Sequence, residues 1–130
     1  MTSGGLGRVY EDGQVVFRQG DPGDCLYVVR EGEVEVIDES GGRETVLRVA
    51  GRNELFGEMA VFERETRSAT VRARGRTRIL TIDKRNFLRR INEDPSLAFN
   101  LVESMSRRVR ELSAEVVRLR QRLEDMLRGN

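Results

Sequence analysis

The chain has 130 residues, of which 38% are apolar and 35% are charged, so it suits one folding unit with a modest core. Its 23 basic and 22 acidic side chains leave a net charge of +1, which excludes a strong overall attraction to nucleic acid or to an anionic membrane. Histidine is absent, and with it the commonest general base and zinc ligand. We therefore expect no catalytic residues, no metal, no cofactor and no enzymatic activity.

The single cysteine, Cys25, cannot form a disulfide within the chain, and we interpret it as a core residue without function. Residues 1–7 lack the apolar core of a signal peptide. The longest apolar runs fall far short of the roughly 20 residues that a membrane span needs. These features predict a soluble, cytoplasmic protein without a membrane partner.

The first part of the chain, residues 9–82, consists of short β-type runs separated by turns that contain glycine. This spacing is typical of an all-β sandwich or barrel, and we predict one double-stranded, jelly-roll-like β-roll. The fold class is therefore mainly β with α, in a single domain that spans residues 1–130. The predicted strands are 15–17, 26–30, 33–37, 45–49, 69–73 and 77–82.

After Ile82 the apolar period changes from two residues to about 3.6, which indicates helices. Asp83 is a suitable N-cap for a short helix over 83–91. Asp94 is a second N-cap, and Pro95 at the first helical position loses no hydrogen bond there. The sequence thus predicts a long helix over 95–128.

The long helix has apolar residues at alternating spacings of four and three, which is the heptad pattern of a coiled coil. Valine at the a positions and leucine at d favour a parallel two-stranded coil, so we predict a homodimer. The alternative is that this stripe packs on the β-roll of its own chain. The stripe consists of Ala98, Val102, Met105, Val109, Leu112, Val116, Leu119, Leu123 and Met126.

A candidate binding segment follows the predicted strand at 45–49. Gly57 precedes a short run of helix formers, whose unpaired backbone N–H groups can bind an anion such as phosphate. Arg67 can add bidentate bonds to phosphate oxygens, and Ser68 a hydroxyl. Glu58 would repel phosphate unless it accepts hydrogen bonds from the same ligand, and a ribose hydroxyl is a natural donor. The segment therefore predicts a nucleotide site.

The sequences FGEMA at 56–60 and RSATV at 67–71 resemble the phosphate-binding cassette of the cyclic nucleotide-binding domain family. That family includes bacterial catabolite activators, regulatory subunits of cAMP-dependent kinases and cyclic nucleotide-gated channels. The upstream segments 17–24, 26–29 and 32–36 also match its β-roll pattern. The resemblance covers about residues 9–122 and implies a short helix within the cassette.

The resemblance implies a role for each matching residue. Glu58 would bind the ribose 2′-hydroxyl, Arg67 the equatorial phosphate oxygen and Ser68 the phosphate. The cassette backbone would come from Gly57, Met59 and Ala60, the walls of the β-roll from Val36, Leu47 and Leu55, and contacts near the base from Arg108, Leu112 and Ser113 on the long helix. Leu112 stands where catabolite activators usually have threonine, so one hydrogen bond to adenine is missing.

These observations predict a non-enzymatic, homodimeric receptor for a cyclic mononucleotide, with cAMP favoured over cGMP, that signals to an unknown effector through movement of the long helix. The chain has no element for reading DNA, and the arginines at 72, 74, 76 and 78 are interpreted as a solvated face. Two alternatives stay open. In the first alternative, the chain is a ligand-free domain that acts as a coiled-coil interaction module, with Glu58 and Arg67 as a structural ion pair. In the second, it is the sensor fragment of a larger regulator.

Overall fold

The computed structural model describes residues 7–58 and 66–129. Six strands precede two helices, which confirms the predicted fold class of β with α and a long C-terminal helix. The strands are β1 (Arg8–Tyr10), β2 (Val15–Phe17), β3 (Cys25–Asp38), β4 (Thr45–Ala50), β5 (Leu55–Phe56) and β6 (Thr70–Asp83). The helices are α1 (Lys84–Glu93) and α2 (Pro95–Gly129), and a single 3-10 turn covers Ser40–Gly42.

All six strands pair antiparallel in one sheet, with β3 and β6 at its centre. Strand β4 continues the sheet beside β3, and β1 continues it beside β6. Two shorter antiparallel pairings join β2 to β6 and β5 to β3. This pairing brings the segment before β3, the end of β5 and the start of β6 into one neighbourhood, where the candidate site lies.

The two central strands are longer than the sequence predicted, because 26–30 and 33–37 are joined in β3, and 69–73 and 77–82 in β6. Gly32 and Gly75 have φ angles of +86° and +74°, which other residues rarely adopt. The ladder pairs Glu31 with Arg78 and Glu33 with Arg74, so three residues of β6 stand opposite Gly32 alone. The glycines therefore form a β-bulge within continuous strands where we had predicted turns.

The core lies against the inner face of these strands. Val29 and Val34 on β3 are fully buried, as are Ile79 on β6 and Ala50 on β4. Phe87 on α1 is also buried. The packed set comprises Tyr10, Val29, Val34, Ala50, Phe56, Val71, Ala73 and Ile79.

The alternating arginines of β6 face glutamates across the ladder. Arg72 bonds Glu35 at 3.0 Å and Glu44 at 3.1 Å. Glu33 and Glu31 similarly lie opposite two further arginines of β6, at 3.9 and 3.6 Å. The hydrogen bond that Arg72 donates to Glu35 holds the pKa of Arg72 above its usual value. This charge ladder neutralises much of the positive charge of β6.

Both predicted helix starts are confirmed by their caps. Asp83 Oδ1 accepts the backbone N–H of Asn86 at 2.8 Å, which caps α1. Asp94 Oδ1 accepts the N–H of Ser96 at 3.1 Å immediately before the long helix. None of the helices within the described residues combines the length and apolar character needed to cross a membrane.

The described residues up to Phe87 form one compact unit, and those from Leu88 form a second. Within the second unit, no described residue of α2 is buried. Most of the predicted heptad stripe is more than half exposed, including Val102, Val109, Leu112 and Leu123. The single domain over 1–130 and the coiled coil stay predictions.

Candidate functional site

The site begins where β5 ends. Gly57 follows Phe56 with a φ angle of +78°, and its carbonyl oxygen accepts a hydrogen bond from Arg67 Nη1 at 3.0 Å. A Cβ atom at position 57 would lie 2.9 Å from Arg67 Nη1 and 3.2 Å from Tyr27 Cδ1. Glycine is therefore required here both by its backbone conformation and by the close approach of the arginine.

Arg67 is a buried cation, since only 5% of its surface is exposed. Its Nη2 donates to Cys25 Sγ at 3.7 Å, while its buried Nε has no hydrogen-bond partner within the described part of the chain. No ion pair between the described residues involves Arg67. A buried charge without an opposite charge is costly, so this arrangement favours an incoming anion.

Aromatic rings supply part of the stabilisation that a carboxylate would give. Arg67 Cζ lies 4.2 Å from the centre of the Phe17 ring and 5.4 Å from that of Tyr27. Phe17, Tyr27 and Phe56 also contact one another, with ring centres 5.1 to 6.1 Å apart. We call these three residues the aromatic cluster. The π-faces of Phe17 and Tyr27 attract the guanidinium electrostatically.

The segment between β2 and β3 holds the backbone of Arg67. The N–H of Arg67 donates to the Asp21 carbonyl at 2.7 Å, and the N–H of Gly20 donates to the Arg67 carbonyl at 2.8 Å. Gly23 packs directly against the guanidinium, and a Cβ atom there would collide with Arg67 Nε. Arg67 is thus fixed from both its main chain and its side chain.

Tyr27 remains a neutral phenol at physiological pH. Burial raises the pKa of Tyr27 well above its usual value, and the hydrogen bond that it shares with Cys25 Sγ at 3.5 Å raises that pKa further. The positive charge of Arg67 acts in the opposite direction but is the smaller effect. Tyr27 therefore adds no negative charge beside the guanidinium.

The predicted cassette residues differ in their burial, and two of them lie outside the described residues. Glu58 follows Gly57 directly and is buried, with 4% of its surface exposed, whereas Ser68 is exposed. Met59 and Ala60, with most of the expected cassette helix, lie outside the described residues. The sequence left open a structural ion pair between Glu58 and Arg67. The ion pairs between described residues do not include this one.

The predicted wall residues lie in the same compact unit as Arg67. Val36 is half-buried and packs against the core, and Leu55 is half-buried on β5. Leu47 on β4 is 58% exposed. Their contact with a ligand stays a prediction.

The three predicted base contacts belong to the second unit. Arg108 Nη1 donates to Met105 Sδ at 3.6 Å on the same helix. Leu112 is 65% exposed, and Ser113 is also exposed. Their role near a purine base stays a prediction.

Sequence reasoning assigned no role at the site to three residues that contact the Arg67 side chain, namely Phe17, Cys25 and Tyr27. Cys25 is half-buried rather than part of the core, and its sulfur lies between the Tyr27 hydroxyl and Arg67. Phe17 begins the segment 17–24 that matches the family's β-roll pattern, but nothing in the sequence indicated that it lies beside Arg67. The alternation of Cys25 and Tyr27 on one face of β3 was an available signal, but nothing local linked that face to Arg67.

Comparison with known proteins identifies the family. The family model described as "Cyclic nucleotide-binding domain" matches residues 7–94. The cyclic AMP receptor protein of Thermus thermophilus is 37% identical over 110 residues, which is 84% of this chain and 51% of that protein. This chain therefore spans about half the length of that relative.

Solved structures agree with this result. A crystal structure of the Thermus thermophilus catabolite activator protein matches with a TM-score of 0.76 and 37% identity, over 86% of this chain and 53% of that one. The cGMP-bound form of an EAL enzyme matches with a TM-score of 0.60 and 31% identity, over 79% of this chain and 27% of that one. The chain belongs to the cyclic nucleotide-binding domain family.

Proposed function

We propose that the chain is a non-enzymatic receptor for a cyclic mononucleotide, with cAMP favoured over cGMP. The observation that carries this proposal is the buried guanidinium of Arg67, which has an unpartnered Nε and no ion pair among the described residues. The phosphodiester of a cyclic nucleotide supplies one negative charge and several acceptor oxygens. It thereby offsets the cost of burying Arg67.

The remaining cassette residues divide the ligand between them. Gly57 keeps the turn narrow and binds Arg67 through its carbonyl, so it positions the phosphate contact. Buried Glu58 accepts a hydrogen bond from the ribose 2′-hydroxyl, and Ser68 donates its hydroxyl to the phosphate. Met59 and Ala60 contribute cassette backbone.

The preference for cAMP rests on likeness to relatives, and the missing polar contact at Leu112 limits the size of that preference. The Thermus thermophilus relative is a cyclic AMP receptor protein, whereas the EAL enzyme has been solved both with cAMP and with cGMP. Apolar Leu112 recognises a purine only through shape and stacking. Each missing polar contact is worth about 0.5–1.5 kcal/mol, so we expect cAMP to bind about tenfold more tightly than cGMP.

We also propose that α2 forms a parallel homodimer and that its movement carries the signal. The exposed heptad stripe on α2 supports this assignment, because an isolated amphipathic helix of such length gains stability by covering its apolar face. The effector is unknown, and the cytoplasm is the proposed location. Because the chain spans half of its relative, a role as the sensor part of a larger regulator is the alternative.

The test is a calorimetric titration of the full chain with cAMP and with cGMP. Arg67→Ala should weaken cAMP binding by about 2–4 kcal/mol, since a bidentate charged contact is lost from a partly dry pocket. Arg74→Ala is the matched control, because Arg74 is an exposed arginine of the charge ladder and should bind like the parent. Equal affinities of Arg67→Ala and the parent would refute the assignment of the pocket.

The exposed stripe of α2 favours a second candidate function, that of a coiled-coil interaction module without a ligand. The same experiment separates the two. A dimeric parent that releases no heat and shows no thermal stabilisation with either nucleotide would establish the interaction module. Saturable binding of one nucleotide would exclude it.

A further inference from the structure

We infer that Phe17 is a positioning residue that acts through Arg67, by holding the guanidinium with its ring where a carboxylate would otherwise be needed. The inference rests on the proposed function of Arg67 as the phosphate contact. It assigns a role in ligand affinity to a side chain that need not touch the ligand itself.

The first step is the electrostatic environment of Arg67. Among the described residues, its polar side-chain partners are the Gly57 carbonyl and the Cys25 sulfur, neither of which is a carboxylate, and Phe17 is the nearer of its two ring contacts at 4.2 Å. A cation over an aromatic face gains more when it is desolvated, and Arg67 is almost entirely buried. The ring therefore supplies a substantial part of the field that keeps this cation in place.

The second step concerns competition with the ligand. A carboxylate beside Arg67 would stabilise the cation but would also repel a phosphate and occupy its N–H groups. A ring stabilises the cation without adding negative charge or an oxygen acceptor. Nε thus keeps its capacity for a hydrogen bond, in agreement with its unpartnered state.

The third step is the way in which the chain places the ring. Phe17 ends β2, and the register of β2 shifts between Val15 and Phe17, so the strand is irregular where the ring is presented. Three residues later, the N–H of Gly20 donates to the Arg67 carbonyl at 2.8 Å. One short segment therefore holds Arg67 by both its side chain and its main chain.

The experiment compares Phe17→Leu, which keeps an apolar side chain without a ring, with Phe17→Trp, which keeps a π-face. Calorimetry with cAMP should show about tenfold weaker binding for Phe17→Leu and a return to within about threefold of the parent for Phe17→Trp. A role in core packing alone predicts a different order, because tryptophan changes the packed volume more than leucine does.

Tyr10→Leu is the matched control. Tyr10 is buried and its ring carries a second cation, with Arg8 Cζ at 5.1 Å, but it lies outside the aromatic cluster. This variant should lower the melting temperature and leave the dissociation constant for cAMP unchanged. If Phe17→Leu also lowers only the melting temperature, the inference is wrong.

A series of fluorinated phenylalanines at position 17 keeps the shape of the ring if Phe17→Leu fails to fold. Fluorination weakens the negative face of the ring, so affinity for cAMP should fall stepwise as fluorine atoms are added. An affinity that does not depend on fluorination would overturn the inference. If the unmodified parent binds neither cAMP nor cGMP, the proposed function fails instead, and the two failures are thereby distinguished.

Discussion

The described groups in contact with the Arg67 side chain are a carbonyl, a cysteine sulfur and two aromatic rings, and none of them is a carboxylate. An arginine held in this way differs from one in a buried ion pair, because an incoming anion does not have to displace a carboxylate. The lack of a carboxylate among these described contacts therefore favours binding of a phosphate. Cys25 is the position at which a carboxylate can be introduced most directly.

We expect Cys25→Asp to weaken cAMP binding by at least tenfold, because it places a carboxylate within reach of Arg67 Nη2. Cys25→Asn is the control of equal shape without the charge, and it should bind within about threefold of the parent. Calorimetry measures both dissociation constants. Equal affinities of the two variants would show that charge at position 25 does not compete with the ligand.

Tyr27 leads to a prediction about pH. Because the pKa of Tyr27 is raised in the folded protein above its ordinary value of 10.0, the folded state retains a proton that the unfolded chain releases. Its contribution to the free energy of unfolding is full below about pH 10 and decreases as the pH rises further. Urea denaturation at about pH 8 and about pH 11 should show a larger loss of stability for the parent than for Tyr27→Phe. Parallel losses would contradict the burial of this phenol.

At the scale of elements, the turn after β5 combines an unusual backbone with a close approach. Gly57→Ala should lower the free energy of unfolding by about 1–3 kcal/mol, because alanine is strained at a φ angle of +78°. We expect a further loss because the new Cβ atom would contact Arg67 Nη1. Gly41→Ala is the matched control, since Gly41 has a φ angle of +71° with nothing within 4 Å of its Cβ position. Chemical denaturation and cAMP titration should show that only Gly57→Ala loses binding. Equal losses of stability, with binding intact, would contradict the close approach.

The stripe on α2 leads to a prediction about assembly. Leu112→Glu combined with Leu119→Glu should convert a dimer into a monomer, because like charges would be buried against each other in the seam. Val117→Glu adds a charge to the same turn at an exposed position outside the stripe and should leave the dimer intact. Light scattering measures both. A monomeric parent at tens of micromolar would disprove the coiled coil.

At the scale of the whole molecule, the features that could be predicted from sequence are those with a local signal. Asp83 and Asp94 are capping residues whose partners lie within three positions, and both caps are present. The order of strands before helices followed from the change of apolar period near Ile82. The family was recognisable because its cassette residues lie in two short segments.

The features that escaped prediction depend on pairing between distant parts of the chain. Strands β1 and β5 have three and two residues, too few for a periodic pattern, and exist because they pair with β6 and β3. The contact of Phe17 with Arg67 spans fifty positions in the sequence, and the sequence pattern alone does not show it. Gly32 was expected to interrupt a strand because its tolerance of a positive φ suits turns and bulges alike.

The charge ladder has a consequence for how the chain reaches its fold. Glutamates at 31, 33 and 35 and arginines at 72, 74, 76 and 78 alternate, so sliding β3 by two residues along β6 still sets opposite charges face to face. The charge pairing of the ladder therefore favours several registers almost equally. The native register is distinguished by the bulge at Gly32, where the two backbones approach so closely that a Cβ atom would lie 2.6 Å from the Arg76 carbonyl oxygen. Because the native register is the one that requires glycine at position 32, we expect a chain with a larger residue there to populate misaligned hairpins before the native pairing forms.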